Sequence, residues 1–505
     1  MFVYAIYYFV RKNFSIAMPG LTAEYGISNT SFGIIIAIGS LIYGLSRFIN
    51  GFIVERVSTK LFMAIGLFLC AAANFCFGFG VDLSYYITGV HEGPQFVNML
   101  VIVMGITIVL NQYFQGFGYP PCARMLPQWI APGELSTKMS IWNTSHSIGS
   151  FAAVVICGLI MTDMGADMSG NSSVVARIAS NLAANIKGWD SLSAVEQSEK
   201  VMSYATHYGA WRWCFIIPGI VAVGAAIVCL LGLKDTPQSV GLPEIKGTDT
   251  GKEKINDIPG AHKAFLDHMV FKNRWVWMLA LANVFVYVLR MGVLDWGPKF
   301  LTEDRGMDIK SAAWSVALFE LTAIIGTIFA GWASDHIFKG LSHRMCLFSM
   351  VGAVVFLAIF ALCDTLSPVV STLVLAMSGF CIYGPQALIG IGAANQATKE
   401  ASATANGLTG ICGYVGSALS ALGVGFIADH FGWKSVFITF LVVGSIGAIV
   451  FLLMWKAPRD GYERSRKFTG DLLGGKDEKE SFNYYRNCSR NFSSCRISYK
   501  LYGQC

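Results

Sequence analysis

The chain reads as an all-α membrane protein, with twelve transmembrane helices in two pseudo-symmetric six-helix bundles, and three observations predict this. Of its 505 residues, 54% are hydrophobic and 13% charged, with a mean hydropathy of +0.54, whereas soluble chains carry roughly 25% charged residues. Apolar runs long enough to cross a ~30 Å hydrocarbon layer as helices recur about twelve times, and the period-two alternation of strands is absent. The third observation is an internal repeat. Tyr4, Tyr8 and Arg11 stand at i, i+4 and i+7, and Asn283, Tyr287 and Arg290 repeat that spacing at an offset of 290 − 11 = 279.

In chain order, the breaks in hydropathy place helices at 2–18, 30–54, 60–80, 97–118, 139–163 and 210–233, then at 275–297, 311–334, 344–363, 368–391, 404–428 and 432–456. In the first, the helical period puts Tyr4, Tyr8 and Arg11 on one face and Lys12 about 100° away. Only ten residues precede Arg11, so this span looks short, completed by preceding chain or by turns in the interface. No cleavable signal peptide fits, because the opening residues lack charge. After the second helix, Gly51-Phe-Ile-Val-Glu55-Arg56 matches Gly331-Trp-Ala-Ser-Asp335-His336 after the eighth, with 331 − 51 = 280. In the fifth, Ile148-Gly149-Ser150 matches Val415-Gly416-Ser417 of the eleventh, with 415 − 148 = 267. A duplicated set of six helices is an architecture in which substrate binds between the halves near the midplane.

The bundles are expected at 1–233 and 275–456. The charged segment 234–274 between them reads as a cytoplasmic linker, and the polar tail 457–505 as disordered. Arg56, Lys60, Arg124 and Lys138 fall after helices two and four, while the loops after helices one and three carry no Lys or Arg. The positive-inside rule then puts both termini in the cytoplasm. The polar stretch Asp163 to Tyr208 would face outside and be partly helical. Ten of the thirteen cysteines lie in or beside the apolar runs without metal-type spacing and read as small buried side chains. The net charge of +6 belongs to loops and tail. With no basic, aromatic groove it points to the lipid bilayer as partner and not to nucleic acid.

A buried arginine in a helix costs roughly 2.5 to 3.5 kcal/mol even on lenient scales, so two at equivalent positions point to one shared anionic ligand. Asp295 and Glu320 are the carboxylates placed to pair with Arg290 when the site is empty. No phosphate-cradling Gly-x4-Gly-Lys-Ser/Thr loop occurs, so the usual part for ATP-driven transport is missing, and no enzymatic motif or cofactor is expected.

Several segments together resemble the major facilitator superfamily and, within it, the organophosphate:phosphate antiporters: Tyr8-Phe-Val-Arg11-Lys12-Asn13-Phe14, Phe114-Gln115-Gly116, Pro121-Cys122-Ala-Arg124, Trp142-Asn143-Thr-Ser-His146, Val286-Tyr287-Val-Leu-Arg290, Phe319-Glu320 and Tyr383-Gly384-Pro385-Gln386-Ala-Leu-Ile-Gly390. The resemblance covers nearly all the membrane part. It implies that Arg11 and Arg290 grip a phosphoryl group, with His146 beside them and Tyr43, Tyr383 and Tyr414 lining the pocket. Lys12, Arg47, Tyr4, Tyr8, Asn143 and Gln386 complete the expected substrate site. Arginine suits phosphate because its fork of donors binds two oxygens at once, His146 can donate to the phosphoryl group or take up a proton, and phenols can pair with sugar hydroxyls. Glu55, Arg56 and Asp335 are expected at a cytoplasmic latch.

Two departures stand out: Arg47 replaces the lysine of many relatives, and the 163–208 stretch is unusually long. Gln386, Phe319-Glu320 and Asn143-Thr144 resemble the hexose-phosphate branch, which includes transporter-like sensors. The implied activity is exchange of an organic phosphate ester, foremost hexose 6-phosphate, for inorganic phosphate by alternating access, in a monomer of the bacterial inner membrane. A sugar-phosphate sensor and a glycerol 3-phosphate antiporter are the alternatives.

Overall fold

The computed structural model describes residues 1–54, 57–130, 141–142, 144–186, 189–241, 261–363 and 367–472. Its helices in the first half are α1 (Phe2–Phe9), α2 (Asn13–Tyr25), α3 (Asn29–Val54), α4 (Thr59–Gly78), α5 (Gly80–Thr88), α6 (Pro94–Gln115), α7 (Tyr119–Trp129), α8 (Ser145–Asp163), α9 (Ser172–Asn185), α10 (Ala194–Thr206) and α11 (Ala210–Gly232). The second half has α12 (Arg274–Glu303), α13 (Ile309–His336), α14 (Ser342–Leu362), α15 (Pro368–Phe431), α16 (Trp433–Leu453) and α17 (Tyr462–Leu472). The long α15 is two spans joined across a kink at Thr398, whose φ of 63° is left-handed.

Among the described residues, eleven spans are long and apolar enough to cross a membrane. The expected twelfth is the first, which is broken into α1 and α2 by a turn at Val10–Lys12. It also runs seven residues beyond the expected end at 18, to Tyr25. There Gly26 takes φ 67° and its N–H caps the Thr22 carbonyl at 2.8 Å. The missing length is therefore supplied after Arg11: Phe2 to Tyr25, at about 1.5 Å per residue, spans roughly 36 Å. The hydropathy break at 18 does not end the helix: α2 continues through Pro19, which is buried among neighbouring helices.

Each span sorts its residues by environment. On α3 the exposed residues Ile34, Ile38, Leu41, Leu45 and Ile49 fall at helical spacing and form a stripe suited to lipid, while Phe32, Ile35, Ile36 and Tyr43 are buried. Where the halves meet, small residues bring backbones together: a Cβ on Gly33 would lie 2.5 Å from the Ala421 carbonyl oxygen, and one on Gly158 2.5 Å from the Ala313 Cβ. This closes one end of the molecule. There Asp429 of α15 accepts from the backbone N–H of Asn29 at 3.1 Å and from both the N–H and the hydroxyl of Thr30 at 2.6 Å, so a carboxylate of the second half caps α3 of the first. Buried Lys299 adds a bond to the Thr22 hydroxyl at 2.5 Å.

The 163–208 stretch lies at the same end as a two-helix unit. Asn171 caps α9, and Ser193 with Glu196 forms a capping box on α10. Ile178, Leu182, Trp189 and Val201 pack with Ala23. An antiparallel bridge between Ala166 and Tyr208 closes the base of the unit, while Glu24 accepts from the Gly209 N–H at 2.7 Å and Trp211 Nε1 at 3.0 Å. The tail expectation needs correction, because its first part forms α17. Arg464 donates to the His268 and Lys272 carbonyls, and Phe468 stacks on His268 at 4.5 Å, contacts that a polar composition does not reveal.

Candidate functional site

The break in the first span sits beside the candidate site. Arg11 and Lys12 leave it in different directions, and a cavity between the halves is lined by both, together with Ser40, Gln112, Asp295 and Ser417. The guanidinium carbon of Arg11 lies 3.9 Å from the ring centre of Tyr43 and 5.7 Å from that of Tyr8. In the second half α12 is continuous, and Arg290 at its middle is buried, with its guanidinium carbon 4.5 Å from the Tyr383 ring centre and 5.7 Å from that of Tyr287. Rings connect the two cations: Tyr43 meets Tyr414 edge-on at 5.0 Å, and Tyr414 meets Tyr287 at 5.9 Å. Each guanidinium is thus held against an electron-rich face, which stabilises a desolvated cation without neutralising it. The Nε of each arginine has no hydrogen-bond partner among the described residues.

The expected carboxylates are placed differently from the sequence reading. Asp295 is taken by Lys12, whose Nζ donates to Oδ1 at 2.6 Å across the two halves, with side chains 7% and 15% exposed. The pairing with Arg290 fails because Lys12 emerges from the broken turn facing α12. Glu320, fully buried, accepts from the Tyr383 hydroxyl at 2.5 Å, and the same phenol's ring covers Arg290.

The other expected residues are distributed around this centre. Tyr8 packs edge-on against His146 at 5.5 Å, and Tyr4 touches Tyr8 and stacks on Trp142 at 4.7 Å. Arg47, one turn beyond Tyr43, lies over Tyr119 with its guanidinium carbon 3.6 Å from the ring centre. Gln386 is half-buried, three residues beyond Tyr383 on α15. Asp335 is exposed near the end of α13, and Asn143, Glu55 and Arg56 lie outside the described residues.

Sequence reasoning passed over the groups that hold the broken turn. Asn111 donates to the Val10 carbonyl at 3.0 Å and Asn74 to the same oxygen at 3.3 Å, while Asn13 donates to Asn74 at 2.7 Å and to the Cys214 carbonyl at 2.9 Å. The available signal was an asparagine inside each of three apolar runs, since an amide in hydrocarbon needs a partner. Ser40 and Ser417, bonded across the halves at 2.9 Å, were also missed as a pair.

Comparison with known proteins agrees with the helical membrane fold. The family model of the Major Facilitator Superfamily matches residues 1–189 and 201–421. A glycerol-3-phosphate transporter of Bacillus subtilis (strain 168) is 35% identical over 466 residues, covering 90% of each chain. A probable hexose phosphate transport protein of Chlamydia pneumoniae is 32% identical over 473 residues, again 90% of each. The membrane sensor protein UhpC of Escherichia coli (strain K12) is 28% identical, over 90% of this chain and 91% of its own. Among solved structures, an inward-facing, unoccupied bacterial homolog of the human lysosomal transporter Spinster superposes with a TM-score of 0.66 at 15% identity, over 93% of this chain and 96% of that one. The fucose:proton symporter of E. coli superposes at 0.53 and 14% identity, over 89% and 96%. These two likenesses concern the fold. Taken with the sequence relatives, the duplicated helices and their paired buried arginines have one assignment: the chain belongs to the major facilitator superfamily and, within it, to the organophosphate:phosphate antiporter family.

Proposed function

We propose that the protein is a secondary transporter of the bacterial inner membrane that exchanges an organic phosphate ester, foremost hexose 6-phosphate, for inorganic phosphate. The observation that carries this reading is the pair Arg11 and Arg290, one from each half, held against tyrosines, each with an Nε that has no partner among the described residues. A phosphoryl dianion matches two guanidinium forks in charge and geometry. With both termini in the cytoplasm, the end closed by Asp429 and Gly33 faces outside, and this conformation is inward-facing. The empty pair of arginines repels itself, while a bound phosphoryl group draws both in and lowers the barrier to rocking. Lys12 and Asp295 tie the halves together across the same cavity. One chain contributes both halves of the site, so a monomer suffices.

The relatives favour a second reading within the same chemistry. Identity of 35% to a glycerol-3-phosphate transporter, against 32% to a hexose phosphate transport protein, supports a three-carbon ester. The test is efflux of labelled phosphate from proteoliposomes, prompted by a panel of organic phosphates. Hexose 6-phosphates are expected to drive efflux best. Stronger efflux with glycerol 3-phosphate establishes the second reading, and saturable binding without efflux establishes a sensor.

A further inference from the structure

The turn at Val10–Lys12 poses a question of hydrogen bonding inside the membrane. Arg11 and Lys12 both donate their N–H to the Tyr8 carbonyl at 3.1 Å, which tightens the end of α1 and takes the Val10 carbonyl out of the helical ladder. Val10 is fully buried, and an unpaired carbonyl in hydrocarbon costs several kcal/mol. That carbonyl is instead held by two side chains, Asn111 of α6 and Asn74 of α4. Asn13, the first residue of α2, fixes Asn74 and reaches the Cys214 carbonyl of α11. The break is therefore supported from three helices.

We propose that Asn74 and Asn111 are positioning residues for phosphate recognition: by holding the Val10 carbonyl they keep the first span broken and set where Arg11 points. Without them the cheapest way to satisfy that carbonyl is to close the turn into continuous helix. Closure rotates Arg11 and Lys12 together, so the contacts of Arg11 with Tyr43 and of Lys12 with Asp295 no longer form at once. The equivalent cation needs no such support, because Arg290 sits within the uninterrupted thirty-residue α12. The proposal rests on the reading of Arg11 as a phosphate ligand, and the experiment separates the two.

Asn111 is the better residue to change, since among the described residues its Oδ1 has no partner and only the amide bond to Val10 is lost. Binding of inorganic phosphate is measured on the purified full chain carrying Asn111→Leu, Arg11→Lys or both, alongside the unmodified protein, with the ligand-free thermal midpoint recorded for each. If Asn111 acts through Arg11, Asn111→Leu weakens phosphate binding about tenfold in the unmodified background and less than twofold beside Arg11→Lys. Its effect on the thermal midpoint is the same in both backgrounds. Equal weakening in both backgrounds assigns Asn111 a purely structural role and overturns the proposal, as does unchanged binding in the single variant. If Arg11→Lys alone leaves phosphate binding unchanged, the clamp itself fails, and positioning with it. Asn111→Ala takes the same place in the cycle if the leucine variant is not recovered folded.

Discussion

Asp429 caps a helix of the opposite half, so removing it acts on the equilibrium between conformations more than on the fold of either half. Its carboxylate accepts two backbone N–H bonds and one hydroxyl at the start of α3. Loss of an N-cap costs about 0.5 to 2 kcal/mol, and charge-assisted bonds lie toward the upper part of that range. The side chain is half-buried, so solvent screening brings the figure back to ~1.4 kcal/mol, a factor of ten in an equilibrium constant. The acceptor and the helix separate when this end opens, and water then serves the freed N–H groups. Asp429→Ala should therefore raise the population open at this end about tenfold. The assay is the rate at which a membrane-impermeant maleimide, applied from the closed end, labels Ala421→Cys in a protein whose exposed Cys76 and Cys363 are serine. Ala421 is buried where Gly33 seals against it. A labelling rate within twofold of that with Asp429 intact would refute the trans-cap reasoning.

Three further outcomes follow from the same geometry. Arg11→Lys and Arg290→Lys should each slow phosphate exchange by about tenfold to a hundredfold while the protein still inserts, because losing one charged bond from the fork costs about 1.5 to 3 kcal/mol; exchange rates per mole of membrane-inserted protein decide it, and near-normal rates falsify the clamp. The Lys12–Asp295 pair is buried enough that removing one partner strands a charge at a cost of about 3 to 5 kcal/mol, so Asp295→Asn should be more damaging to exchange than the double change Lys12→Met with Asp295→Leu. Because Ala166 and Tyr208 already pair across the base of the two-helix unit, replacing 167–207 by an Asn-Gly turn should preserve exchange within about twofold and lower the thermal midpoint, the unit packing on α2 without touching the arginines; loss of exchange in a folded, inserted variant would give the unit a part in the cycle.

How much of this was legible in the residues depends on the range of the interaction. Hydropathy and helical period are local properties, so they delivered the helical membrane class, the repeat of Arg11 and Arg290 and most spans without reference to contacts. The aromatic setting was partly legible too, because Tyr4, Tyr8 and Arg11 share a period on one element. Partners across elements were not. Lys12 pairs with Asp295, 283 residues away, and Asp429 caps a helix 400 residues earlier, and no local pattern specifies which charge meets which. The broken first span is the clearest case: its residues favour helix on either side, and the break is decided by asparagines of α4 and α6 that offer the Val10 carbonyl a partner inside hydrocarbon. The sequence by itself determined the solvent, the helices and the pair of cations. Only the tertiary structure decided where those cations point and which carboxylates stay away from them, because a buried polar group takes the partner that packing brings within reach.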